Sequence, residues 1–224
     1  MTNKTLAVLE AVKKDIESGA YNVQPVRYGA ICDLIDACKA ELAKKAAKAV
    51  GRTDLLKACK SVLKSANKGY NRALHGVTVI NDRAFVCDNH RIISYPAGAV
   101  DLPLLDTEKV KPLDFGKIMQ HGVFAIETEL PTAGYLDIEI KRVKAAEKAA
   151  GRKPKGIHIR VGDMFFNAEY LKDAILATGA TTGSAVNEKS PLFLEKDGVT
   201  AVVMPINPGT ITQQLDNFEC GAIY

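Results

Sequence analysis

The sequence predicts an α+β fold in which two helices pack on one antiparallel sheet, with an internal pseudo-repeat and a helical extension ahead of it. Three observations predict this. Apolar residues recur at helical spacing from the N-terminus to about residue 68. From Leu74 the pattern changes to β-branched and aromatic runs separated by turn residues. The order helix, then paired strands, then occurs twice, opening at TDLLKA (53–58) and again at AEYLKDA (168–174).

Each element has a local reason. Leu6, Leu9, Val12 and Ile16 make one apolar helix face, and Gly19 supplies a stop. After the connector YNVQPVRYG, a second face is built by Ile31, Leu34, Ile35, Cys38 and Leu42 and runs to Gly51. A third helix, LLKACKSVLKSANK (55–68), is sharply two-sided. Leu55, Cys59, Val62 and Ala66 fall within about 60° of one another at 100° per residue, whereas Lys57, Lys60, Lys64 and Lys68 gather opposite, within roughly 80°.

HGVTVIND and RAFVCDNHRIISY follow as strands around an Asn81-Asp82 turn, and Pro96, Pro103 and Pro112 break up the next stretch. AIETEL and YLDIEI read as strands, and KRVKAAEKAAGRKPKG as a charged helical insertion around 137–156. GIHIRVG reads as a strand, FNAEYLKDAILATG as a helix, and SPLFLEKDGVTAVVMPI as a hairpin turning at Lys196-Asp197-Gly198. The expected organisation is a helical extension (1–51), an α+β domain (52–206) and a C-terminal tail (207–224) without strong periodicity.

Charge is unevenly spread. The net charge is only +4, yet between Lys39 and Arg72 ten lysines and arginines meet only Glu41 and Asp54, so the rest of the chain is net negative. Like charges three and four apart on a helix repel by a few tenths of a kcal/mol per pair. The lysine stripe is therefore either a solvated face or an electrostatic surface for phosphates.

Other chemistries find little support. The five cysteines include no CxxC, which fits reduced thiols in a cytoplasmic protein without a zinc site. Cys87, Asp88 and His90 are close in sequence, but strand alternation turns Cys87 and Asp88 to opposite faces. His75, His121 and His158 have no metal spacing, and GxSxG, HExxH and phosphate-loop motifs are missing. The expectation is a non-enzymatic protein with no metal or cofactor. No stretch approaches 18 apolar residues, and the N-terminal apolar run is too short for a secretory signal, so no membrane association is expected. With no Trp and few aromatic residues, stacking of bases on exposed rings is not expected either.

RTDLLKACKSVLKSANKGYNRALHGVTVINDRAFVCDNHRIIS resembles the opening of a domain of the bacterial sliding clamp, the DNA polymerase III beta subunit. That family shows a helix, Leu-x-Gly-Val, and a strand ending in an Asp-Gly-His-Arg-Leu-like turn, which Asp88-Asn89-His90-Arg91-Ile92 matches here. The later FFNAEYLKDAILATG and SPLFLEKDGVTAVVMPI are similar to the close of the clamp's last domain: Phe166, Asn167, Tyr170 and Leu171 match its helix start, and Val202-Val203-Met204-Pro205-Ile206 its Val-Val-Met-Pro-Met. The resemblance spans roughly 52–206 and weakens over 101–155. A clamp subunit has three such domains, and this chain one.

The resemblance implies a DNA-clamp-like fold and a DNA-associated scaffold whose helices face the DNA backbone. The residues implied are Lys57, Lys60, Lys64 and Lys68, joined in the same basic segment by Lys45, Lys48, Arg52 and Arg72. It also implies a cleft for partner peptides of replication proteins, walled by His90, Arg91, Ile92, Val202, Val203, Met204, Pro205 and Ile206 and completed by self-association. Gln214-Leu215-Asp216-Asn217-Phe218 resembles the clamp-binding pentapeptide, which makes Gln214, Leu215, Asp216 and Phe218 candidates for docking on a neighbour or a cellular clamp. The alternative is a nucleic-acid-binding adaptor that forms no ring, or a protein-interaction module of a phage or mobile element.

Overall fold

The computed structural model describes residues 3–19, 25–49, 51–152 and 156–207. The tail residues Gln214, Leu215, Asp216 and Phe218 lie outside them, as do the side chains of Lys45 and Lys48. The chain divides into two compact units, Met1–Thr53 and Asp54–Tyr224. In the first, α1 (Asn3–Glu17) and α2 (Pro25–Ala49) pack on each other. Lys39 Nζ lies 2.8 Å from Glu10 Oε1, and the Tyr28 hydroxyl donates to Glu17 Oε1 at 2.5 Å.

The second unit opens with α3 (Thr53–Ala66), followed by β1 (Thr78–Ile80), β2 (Arg83–Cys87) and β3 (Arg91–Pro96). After α4 (Phe115–Ile118), β4 (Ile126–Glu129), α5 (Ala133–Ala149), β5 (His158–Val161) and β6 (Met164–Asn167) come α6 (Ala168–Thr178), β7 (Thr182–Ala185), β8 (Leu192–Lys196) and β9 (Val199–Val203). Seven strands form one antiparallel sheet in the order β1-β2-β3-β9-β8-β7-β4, and β5 and β6 form a separate hairpin. The order is nearly palindromic. Two three-stranded meanders, each led by a helix, meet at the β3–β9 ladder, where Ile92 pairs Val202 and Ile93 pairs Ala201. This is the pseudo-repeat the sequence predicts, and the fold is α+β.

Turn chemistry sets the registers. Asn81 (φ 47°) and Asp82 (φ 60°) close β1–β2, and Asp197 (φ 50°) and Gly198 (φ 76°) close β8–β9, as two-residue hairpins with both central residues left-handed. A further turn, with Asn89 at φ 73°, splits what reads as one long strand into β2 and β3.

Strand alternation separates two cores. On one face lie Phe85, Cys87, Ile92, Phe193 and Val202, clustered with Ala66, Leu74 and Phe115. The Phe85 and Phe115 rings stack at 4.8 Å. On the other face α3 and α6 cover Val86, Ile93, Tyr95, Ala201, Val203 and Leu194, all buried. Burial there pushes the Cys59 thiol of α3 and the Tyr95 hydroxyl well up from their ordinary values.

One expectation is corrected. YLDIEI is not a strand; it begins α5, whose Thr132 cap accepts from the Tyr135 N–H. Leu136 and Ile140, four apart, are buried, while Ile138 between them is exposed. Lys141–Asp137 and Arg142–Glu139 pair at helical spacing. The helix then lies against α6 and takes up its charges: Lys172 Nζ reaches Asp137 Oδ1 at 2.9 Å, and Lys144 Nζ reaches Glu169 Oε1 at 2.5 Å. The hydrogen bond from Lys141, joined by that from Lys172, holds the Asp137 carboxyl down to about 2. A depressed carboxyl stabilises the fold above the ordinary carboxylate range and loses that contribution as pH falls through its folded value. Carboxyl-detected NMR should place the Asp137 midpoint near 2; an ordinary midpoint would mean the bridge between α5 and α6 is absent in solution.

Gly76 sets the edge of the domain. A Cβ there would lie 2.6 Å from the Leu105 nitrogen and 2.8 Å from the Leu104 carbonyl carbon, both backbone atoms. The close approach lets the Val77 N–H donate to Pro103 O (2.9 Å) and the Leu105 N–H to Val77 O (2.8 Å). Gly76→Ala is expected to lower stability by about 1–3 kcal/mol, the cost of an overpacked site. Urea denaturation checks this.

Candidate nucleic-acid interface

Helix α3 buries Leu55, Leu56, Ala58, Cys59, Val62, Leu63 and Ala66. That full apolar face fixes the rotation of the helix, so Lys57, Lys60 and Lys64 must point to solvent, and Lys68 follows just beyond its last turn. Lys57 is held by Asp54, its Nζ 2.9 Å from Oδ1. Lys60, Lys64 and Lys68 have no carboxylate within 4.0 Å among the described residues. Three cations thus stand unneutralised along one ridge. Arg72 is exposed in the short 3₁₀ turn Arg72–Leu74, and Arg52, in the other unit, is partly exposed.

The ridge borders a hollow. Lys60, Leu63, Lys64, Asn67, Lys68, His75, Leu102 and Pro103 line a pocket of about 550 Å³. Its far wall, Leu102 and Pro103, belongs to the segment that Gly76 lets approach. The His75 Nε2 lies 3.0 Å from Gly69 O. A carbonyl only accepts, so Nε2 is the donor of this contact.

The residues predicted to wall a cleft divide into two groups. Met204 N–H donates to His90 O at 2.9 Å, so the two segments meet within one chain. His90 is exposed, Met204 is 44% exposed, and Pro205 and Ile206 are half-buried. Arg91, Ile92, Val202 and Val203 are buried, which corrects the expectation that they form a surface wall. The aliphatic three are core residues of the β3–β9 ladder.

Arg91, 3% exposed, is the hub of a charged network. Its Nε donates to Asp88 Oδ2 at 3.0 Å, its Nη1 donates to Asp173 Oδ2, and its guanidinium lies 4.4 Å from the centroid of the Tyr170 ring. Asp88 Oδ1 also accepts from the Arg91 and His90 backbone N–H groups at 3.2 and 3.3 Å. His90 stacks on Tyr170 at 5.5 Å. Burial, helped by the Asp88 charge, raises the Tyr170 hydroxyl above its ordinary value. The network ties the β2–β3 turn to α6. It joins residues 82 positions apart, Arg91 and Asp173.

Cys87 faces the core cluster opposite Ile92, and burial pushes its thiol up. It makes no nucleophile–base pair with His90. Among the described residues no three His, Cys, Asp or Glu side chains gather as metal ligands, and no helix is long and apolar enough to cross a membrane.

No protein-family model and no curated protein matches the sequence. Solved structures do. A Helicobacter pylori beta clamp bound to a DNA ligase peptide matches with a TM-score of 0.46 at 12% identity, over 68% of this chain and 63% of that one. The DNA polymerase III beta subunit of Thermotoga maritima matches at 0.40 and 14% identity, over 61% and 58%. A Pseudomonas aeruginosa sliding clamp matches at 0.43 and 14% identity, over 68% and 65%. This chain spans less than two thirds of the length of each of these clamp chains.

Proposed function

We propose that the chain is a non-enzymatic, clamp-like module that rests on nucleic-acid phosphates through the lysine ridge of α3. One observation carries the reading: Lys60, Lys64 and Lys68 are exposed side by side and are not neutralised by any described carboxylate. A helix serving only as a solvated surface gains by mixing signs, as α5 does with Asp137, Glu139, Lys141 and Arg142. Lysine is a mobile point charge that attracts phosphate without fixing register or reading a base. The ridge therefore suits a sequence-independent hold.

The test is binding to a duplex and to a single strand of mixed sequence across a salt series. Three phosphate contacts should give a log–log slope of about −3. A slope near zero would remove the reading.

A further inference from the structure

We infer that the C-terminal end of α3 takes a single-stranded nucleic acid, with phosphates on Lys60, Lys64 and Lys68, one base at the pocket these lysines rim and a neighbouring base stacked on Tyr70, which stands outside the pocket lining. This rests on the phosphate reading of the ridge and goes further, because it assigns a base as well as a backbone. Phosphates need cations but no apolar hollow. The pocket offers both: three free ammonium groups on its rim, and Leu63 and Pro103 in its lining. Its volume, about 550 Å³, falls within the range of small-ligand sites. Asn67 and His75 add polar groups to the lining of the kind that meet base edges.

The second observation is Tyr70. It follows Lys68 by two residues and Gly69, the partner of His75, by one, and it is fully exposed. An aromatic ring wholly in water at the end of a cationic ridge is the composition of a stacking platform, where bases of any sequence lie on the ring while lysines hold the strand. A duplex keeps its bases inside and offers the ridge only its backbone. Single strands should therefore gain from Tyr70, and duplexes should not.

The experiment compares an oligothymidylate with a duplex of the same length, using the whole chain and its Tyr70→Ala, Tyr70→Phe and Lys60→Gln/Lys64→Gln/Lys68→Gln variants. Tyr70→Ala is expected to weaken single-strand binding by about fivefold or more while leaving duplex binding unchanged, and Tyr70→Phe should retain it. If Tyr70→Ala changes neither while the lysine variant weakens both, the nucleotide pocket is wrong and the phosphate ridge stands. If the lysine variant changes neither, both readings fall. Tyr70 is solvent-exposed, so its replacement leaves the core intact.

Discussion

Arg91→Ala is expected to destabilise the Asp54–Tyr224 unit by about 3–5 kcal/mol, the cost of breaking a buried ion pair from one side. Asp88 is fully buried and Asp173 nearly so, and Arg91 is the cation paired with both. Without it two carboxylates remain in a low-dielectric site with no opposing charge. The Tyr170 ring also loses its cation, and the β2–β3 turn loses its tie to α6. Arg91→Lys should be only partly better, because an ammonium has no planar fork with which to reach both acids. In a unit of this size the loss corresponds to a fall in Tm of roughly 6–20 °C. Thermal and urea unfolding measure it. A change no larger than that of an exposed arginine such as Arg72 would mean that solvent reaches the site.

The second large effect is on binding. Replacing Lys60, Lys64 and Lys68 together with Gln is expected to flatten the salt slope by about 2.7 and to weaken binding on the order of a hundredfold near 0.1 M salt. Glutamine matches lysine closely in helix propensity, so the helix should persist. All three positions are exposed, and the substitutions relieve repulsion between neighbouring ammonium groups. Circular dichroism and Tm should therefore stay near those of the parent while the titration changes. Lys57→Gln should do less, because Asp54 already neutralises that charge.

Helix α3 was legible in the sequence because burial alone decides its rotation: seven apolar residues turn inward and the lysines have nowhere else to go. The hairpin turns were legible because Asn81-Asp82 and Asp197-Gly198 take left-handed backbone readily. Misreading α5 as a strand has an equally local cause. Leu136, Ile138 and Ile140 alternate with Asp137 and Glu139, which mimics a half-buried strand, and only tertiary packing shows that Ile138 faces water. The Arg91 network left no signal at all. Asp173 lies 82 residues from Arg91 in sequence, and a turn arginine beside an aspartate reads as surface. Few aromatic residues argue against base stacking in the sequence, and a lone tyrosine between Lys68 and Arg72 shows its exposure only in three dimensions.

The β3–β9 ladder also sets a timetable for synthesis. Strand β3 leaves the ribosome roughly a hundred residues before β9, which at common elongation rates is about 5–20 s. Throughout that interval β3 can pair with β2 on one side only, and the seam between the two halves stays open. A chain terminated between Pro96 and Val199 would carry the β1–β3 half-sheet with one edge bare, which is a substrate for chaperones and proteases and a seed for aggregation.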